Sequence, residues 1–202
     1  MTAREALHYD ATGAEVLVHT AREGVLSAVG HDLELVATVL SVDVDLDVGT
    51  VEARIDARAI RLRGALVEGR LVAGSVSASD TRTIEQHLRE DVLAVARHPE
   101  IHFVGALFGA TPSGGHRVEG TLTLRGVSRP LRIETRRDGV FERAEVAIEQ
   151  SDFGIEPFRA MLGALRVRSQ VVVQLCLRRD AALDGAAADA VGPDAKTPHE
   201  SS

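Results

Sequence analysis

The sequence predicts an all-β fold, about eight short antiparallel strands accompanied by a single amphipathic helix. Three observations predict it. Period-two alternation of apolar and polar residues dominates from Glu15 to Arg179, the mark of strands with one buried face. Turn residues interrupt it with gaps short enough for hairpins, which makes the pairing antiparallel. One stretch alone, from Ser79 to Val95, changes to helical spacing.

In chain order, Val16–Thr20 is the first clear strand. Leu33 and Leu35 then share one parity, whereas Leu40, Val42 and Val44 share the other. A bulge near Val36–Val39 reconciles them, because one extra residue turns every later side chain to the opposite face. Val42, Val44, Leu46 and Val48 alternate with Asp43, Asp45 and Asp47, and Val51, Ala53, Ile55 and Ala57 with Glu52, Arg54, Asp56 and Arg58. Val48-Gly49-Thr50 is the turn between these two runs. Gly64–Ala78 has weak periodicity and reads either as a flexible loop or as an extra hairpin.

Ser79 and Asp80 are good N-caps for a helix of about four turns, with Ile84, Leu88, Val92 and Val95 on one face. Shorter strands follow at Ile101–Phe108, His116–Arg125, Pro130–Arg136 and Val140–Gln150. In the last run Leu165, Val167, Ser169, Val171, Val173, Leu175 and Leu177 share a face. Residues 1–15 read as a lead-in, 16–180 as one domain and 181–202 as a disordered tail with too little apolar bulk to offset ordering entropy. At this level a barrel and a sandwich are both open.

Composition narrows the function classes. The chain has 202 residues, 45% hydrophobic and 26% charged, ordinary usage that can build one good core. A net charge of −7 argues against a nucleic-acid partner. One cysteine excludes an internal disulfide and a Cys-rich zinc site. No apolar run is long enough for a transmembrane helix, and Met1–Asp10 has no apolar h-region, so a cytoplasmic, soluble protein without integral membrane association is expected.

Candidate chemistry is sparse. Gly30-His31-Asp32 sets an imidazole beside a carboxylate, which suits either base chemistry or a hydrogen-bonded turn. His98, Glu100 and His102 alternate, which suits a metal triad or, with Ile101 and Phe103 buried opposite, an outward polar face. Cys176 lies on the Gln174 and Arg178 face with no activating neighbour in the sequence. Arg125, Arg129, Arg132, Arg136 and Arg137 straddle a hairpin, as an anion-attracting cluster or as solvated strand faces. Neither a phosphate-binding loop nor a dinucleotide fingerprint is present. The expectation is therefore no catalytic residue, no metal and no cofactor.

Glu23–Leu33, Arg97–Phe103, Glu119–Pro130 and Ser151–Ile155 follow one another in an order that resembles the YceI-like family, a lipocalin-like group described as polyisoprenoid-binding. The stretch Glu23-Gly24-Val25-Leu26-Ser27-Ala28-Val29-Gly30-His31-Asp32-Leu33 is similar to its variant with a Gly-His-Asp-Leu element. Arg97-His98-Pro99-Glu100-Ile101-His102-Phe103 resembles its passage from helix into strand, where an aromatic is common at the position of His98. Glu119-Gly120-Thr121-Leu122-Thr123-Leu124-Arg125-Gly126-Val127-Ser128-Arg129-Pro130 and Ser151-Asp152-Phe153-Gly154-Ile155 resemble its hairpin and late signatures. Gln150 and Ser169 depart from the Arg and Asp common there.

The resemblance implies an eight-stranded antiparallel lipocalin-like barrel that holds an apolar or amphiphilic, isoprenoid- or quinone-like ligand. Inward ligand-binding candidates are Leu33, Leu35, Val42, Val44, Leu46, Ile55, Ile101, Phe103, Leu122, Leu124, Ile133, Val146, Ile148, Val171, Val173 and Leu175, with His31 and Asp32 as a polar anchor. Small inward residues such as Ala53, Ala57 and Gly120 suit a hollow lumen and an alanine-rich genome equally. The expected function is a non-enzymatic carrier. The alternatives are a small-molecule enzyme using His31 and Asp32, and a filled barrel that works as a homodimeric interaction module.

Overall fold

A computed structural model describes residues 6–23, 31–72, 74–160, 165–181 and 183–184. Its strands are β1 (Ala6–Tyr9), β2 (Ala14–Thr20), β3 (Arg22–Glu23), β4 (Asp32–Asp45), β5 (Thr50–Val67) and β6 (Arg70–Val72). After helix α1 (Ala78–His87) come β7 (Glu100–Ala110), β8 (His116–Leu124), β9 (Val127–Asp138) and β10 (Phe141–Glu149). The chain continues with β11 (Arg159–Ala160), β12 (Leu165–Val167), β13 (Gln170–Arg178) and β14 (Leu183–Asp184).

Eight of these strands close into an antiparallel ring, β4–β2–β13–β10–β9–β8–β7–β5, and β5 pairs back onto β4. This is the barrel implied by the resemblance, and the sandwich is excluded. β10 and β13 run in register from Phe141↔Arg178 to Glu149↔Gln170. The hairpin of β8 and β9 is equally regular, and the alternation read from the sequence passes into the structure unchanged there.

The β4–β5 ribbon is irregular. Register shifts fall between Glu34 and Leu35, Val36 and Thr38, and Val39 and Ser41. Leu33, Leu35, Ala37 and Val39 face inward on one parity, then Val42 and Val44 on the other. Leu40, which sequence parity grouped with Val42 and Val44, is 44% exposed because the phase changes only after Val39. Such bulges bend a strand and let a sheet curl shut.

Other boundaries move for local reasons. Gly64–Ala78 contains the extra hairpin: β5 runs on to Val67 and turns through Glu68 and Gly69, both at positive φ, into β6. The helix begins two residues earlier than the sequence suggested. Ser77 is the N-cap, and its Oγ accepts the Asp80 N–H at 3.1 Å and donates to the Asp80 carboxylate at 2.7 Å. After His87 the helix continues as a π-turn over Leu88–Val92.

The last run also differs from the single strand expected. It breaks at Arg168–Ser169, whose backbone bonds to Ala21 and Gln150, so β12 joins β3 and β11 in a separate three-stranded sheet. β1, within the expected lead-in, pairs with β4, and β14, within the expected tail, pairs with β1. Residues 24–30 of the Gly-His-Asp-Leu segment and 185–202 of the expected tail lie outside the described residues.

The main buried cluster lies where β1, β2, β4, β5 and the segment after α1 meet, around Tyr9, Val16, Leu35, Val39, Ile60 and Leu93. A smaller one joins Ile148, Phe153, Ile155 and Val171. Outside the ring, Glu34 is buried yet matched, with His19 Nε2 at 2.9 Å and the Arg63 guanidinium at 3.3 Å.

Candidate ligand cavity

The barrel encloses a cavity of about 1030 Å³. That lies at the top of the roughly 300–1,000 Å³ typical of small-molecule sites. Every inward candidate from Leu33 to Leu175 lies on its wall. Period two places them there: once the ring closes, the apolar face of each strand has only the lumen to face.

Small side chains keep this lumen open. Gly105 and Gly120 face each other across β7 and β8, and Phe103 lies in their space. A Cβ would come within 2.9 Å of the Phe103 ring from Gly105 and 2.5 Å from Gly120. The two glycines thus let a large aromatic lie flat along the wall, which gives Gly120 a steric role that composition does not explain. Ala37, Ala53 and Ala144 line the wall elsewhere.

At one end the helix closes over the barrel through Ile84, Leu88 and Val92, beside Thr83, His87, Phe158, Arg22 and His31. The His87 ring meets Phe158 edge-on at 4.7 Å, and its Nδ1 is 2.6 Å from Asp91. His31 and Asp32 are not brought together. His31 borders the cavity, whereas Asp32 accepts the backbone N–H of Arg22 at 2.8 Å and lies 3.8 Å from its guanidinium.

The opposite end is polar in a way the sequence reading missed. Tyr9, His116, Thr135, Arg137, Glu142 and Arg179 all border the cavity there. His116 Nδ1 is 2.8 Å from the Glu142 carboxylate, Thr135 Oγ1 donates to the same oxygen, and the His116 N–H reaches Thr135 Oγ1 at 2.7 Å. Tyr9 is only 2% exposed. Its phenol is held above the usual pKa, first by burial and then by the negative charge of Glu142, with Arg179 opposing. The signal was present in strand phase: His116 is in step with Val118, Leu122 and Leu124, and Glu142 with Ala144, Val146 and Ile148.

The remaining candidates disperse over the outside. His102 Nε2 is 2.8 Å from Glu52, which the Arg54 guanidinium and then His102 hold below the usual carboxylate range. His98 instead lies against Gly126, where a Cβ would come within 2.8 Å of its ring. Burial pushes the Cys176 thiol up, away from a reactive thiolate. Of the arginine cluster, Arg125 donates to the Gly154 carbonyl at 2.9 Å and Arg132 pairs with Glu119 at 3.0 Å, while Arg137 turns inward. Among the described residues no group of three or more His, Cys, Asp or Glu side chains is arranged to hold a metal ion. No described helix is long and apolar enough to cross a membrane.

A closed eight-stranded barrel around a largely apolar cavity, with polar groups at its two ends, defines a small lumen-bearing β-barrel. The family model of the YceI-like domain matches residues 9–178, and the chain belongs to that family. Two solved structures are similar in fold. A polyisoprenoid binding domain from Saccharophagus degradans implicated in plant cell wall breakdown is 12% identical with a TM-score of 0.56, the match covering 86% of this chain and 97% of that one. Burkholderia cenocepacia BcnA is 16% identical with a TM-score of 0.50, covering 81% and 94%. No curated protein matches the chain.

Proposed function

We propose that this protein is a non-enzymatic carrier that encloses an isoprenoid-type amphiphile in its lumen, with the barrel of 16–180 as the binding unit. The observation that carries the reading is the cavity of about 1030 Å³ with a predominantly apolar wall. At about 25 cal/mol per Å², a tail that buries about 400 Å² gains roughly 10 kcal/mol before the cost of association. Binding of that strength needs no catalytic group. The polyisoprenoid binding of the Saccharophagus degradans domain supports the ligand class. That Asp32 is turned to Arg22 rather than to His31 supports carriage over chemistry at the mouth.

Native mass spectrometry of the purified protein, followed by organic extraction, tests the proposal. A stoichiometric long-chain lipid that leaves on denaturation is expected. A clean apo mass with no uptake of added isoprenoids overturns it. Leu124→Gln, which sets an amide on the cavity wall at the helix end of β8, should abolish uptake while the barrel stays folded. Equal binding by that variant means the lumen is not the site.

A further inference from the structure

The polar end opposite the helix contains a side chain that the fold leaves unfinished. Tyr9 is 2% exposed and borders the cavity, and among the described residues its hydroxyl has no hydrogen-bond partner. Burial and the charge of Glu142 keep that hydroxyl protonated, so it can donate but has nothing to donate to. Among the described residues no fully sealed side-chain nitrogen or oxygen lacks a partner, so the Tyr9 hydroxyl opens onto the cavity, where a bound molecule can reach it. Beside it, His116 sets its Nδ1 2.8 Å from the Glu142 carboxylate, which leaves Nε2 as the second hydrogen-bonding nitrogen of the ring. Thr135 is already bound to Glu142.

We propose that this end is a socket for an uncharged oxygen on the ligand, a hydroxyl above all, with Tyr9 donating to it and His116 accepting from it. The proposal rests on the lumen reading above and adds the class and direction of the ligand: a neutral isoprenoid alcohol, head at the Tyr9 end and tail toward the helix. A carbonyl would use the donor alone. An anionic head would sit against the inward Glu142 carboxylate, whose side chain is 13% exposed and poorly screened. Arg137 and Arg179 could offset that charge, but both are exposed at the rim, where water weakens them.

The test is calorimetric titration of the delipidated full-length protein with geranylgeraniol, geranylgeranyl phosphate and the matching hydrocarbon, each delivered from cyclodextrin. The alcohol should bind about tenfold more tightly than the other two. Tyr9→Phe keeps the ring and removes only the hydroxyl, so it should cancel the advantage over the hydrocarbon without changing hydrocarbon affinity. Glu142→Gln should narrow the gap between alcohol and phosphate. If Tyr9→Phe binds the alcohol as the wild type does, or if the phosphate outcompetes the alcohol, the socket is wrong while the lumen stands. If none of the three binds the wild type, both proposals fall together.

Discussion

The two sides of the barrel solve different problems. The β4–β5 side carries three register shifts, bends sharply, and packs with β1, β2 and the segment after α1 into the main core. On the other side the β8–β9 hairpin keeps its register throughout, whereas β9 and β10 pair only from Phe141↔Asp138 to Ala144↔Thr135. The inward side chains there line the cavity while packing into the smaller cluster around Ile148 and Val171. Curvature and stability are concentrated on the first side, so the second is left to shape the space a ligand would fill.

Substitutions can break this division of labour. Ile60 is 4% exposed in the bent side, and Ile60→Ala should cost about 3 kcal/mol of unfolding free energy, read by urea denaturation. Gly120→Ala comes next. The added methyl would clash with the Val104 carbonyl oxygen as well as come within 2.5 Å of the Phe103 ring. The β7 backbone must then shift along with the ring, costing about 2–3 kcal/mol and weakening ligand uptake in the same preparation. Leu122→Ala should cost the least of the three, about 2 kcal/mol, because Leu122 is only partly buried where it meets the smaller cluster. A loss as large as that of Ile60→Ala would mean that this side is packed as tightly as the first.

The smallest expected effect is alkaline. Tyr9 has its pKa raised above 10.0 in the folded protein, so its contribution to stability is complete below the unfolded pKa of about 10 and fades as pH rises through the higher folded value. Tyr9 is the only tyrosine, and there is no tryptophan. Tyrosinate absorbance therefore reads the shift directly, and a midpoint at the ordinary value would place the phenol in water.

Most of the barrel was legible because period two survives closure. Val42, Val44, Leu122 and Leu124 read as inward from the sequence, and they line the cavity. Legibility failed where a tertiary neighbour decided the outcome. Nothing in the order Val39-Leu40-Ser41 shows that β5 will slip by a residue opposite it. Ser77 outcompetes Ser79 as the cap because its hydroxyl reaches back from the turn before α1. The closed ring was implied by resemblance, since alternation fits a sandwich equally well. At the far end of the lumen the signal was present but misleading. A His or Glu near the end of a strand is normally solvated, and only the pairing of β8, β9 and β10, with Thr135 between them, brings His116 and Glu142 together.

The ring is sealed by β2 and β13, with His19 opposite Val172. The first barrel strand must therefore wait for the last, which gives the fold a late deadline during synthesis. At about 5–20 residues per second, some 150 residues of separation take roughly 8–30 s to emerge. Throughout that interval the open edge of β2 is free to pair with a neighbouring nascent chain. A ribosome that stalls between the two strands would release a curled sheet with two sticky margins, and chaperone demand should peak there.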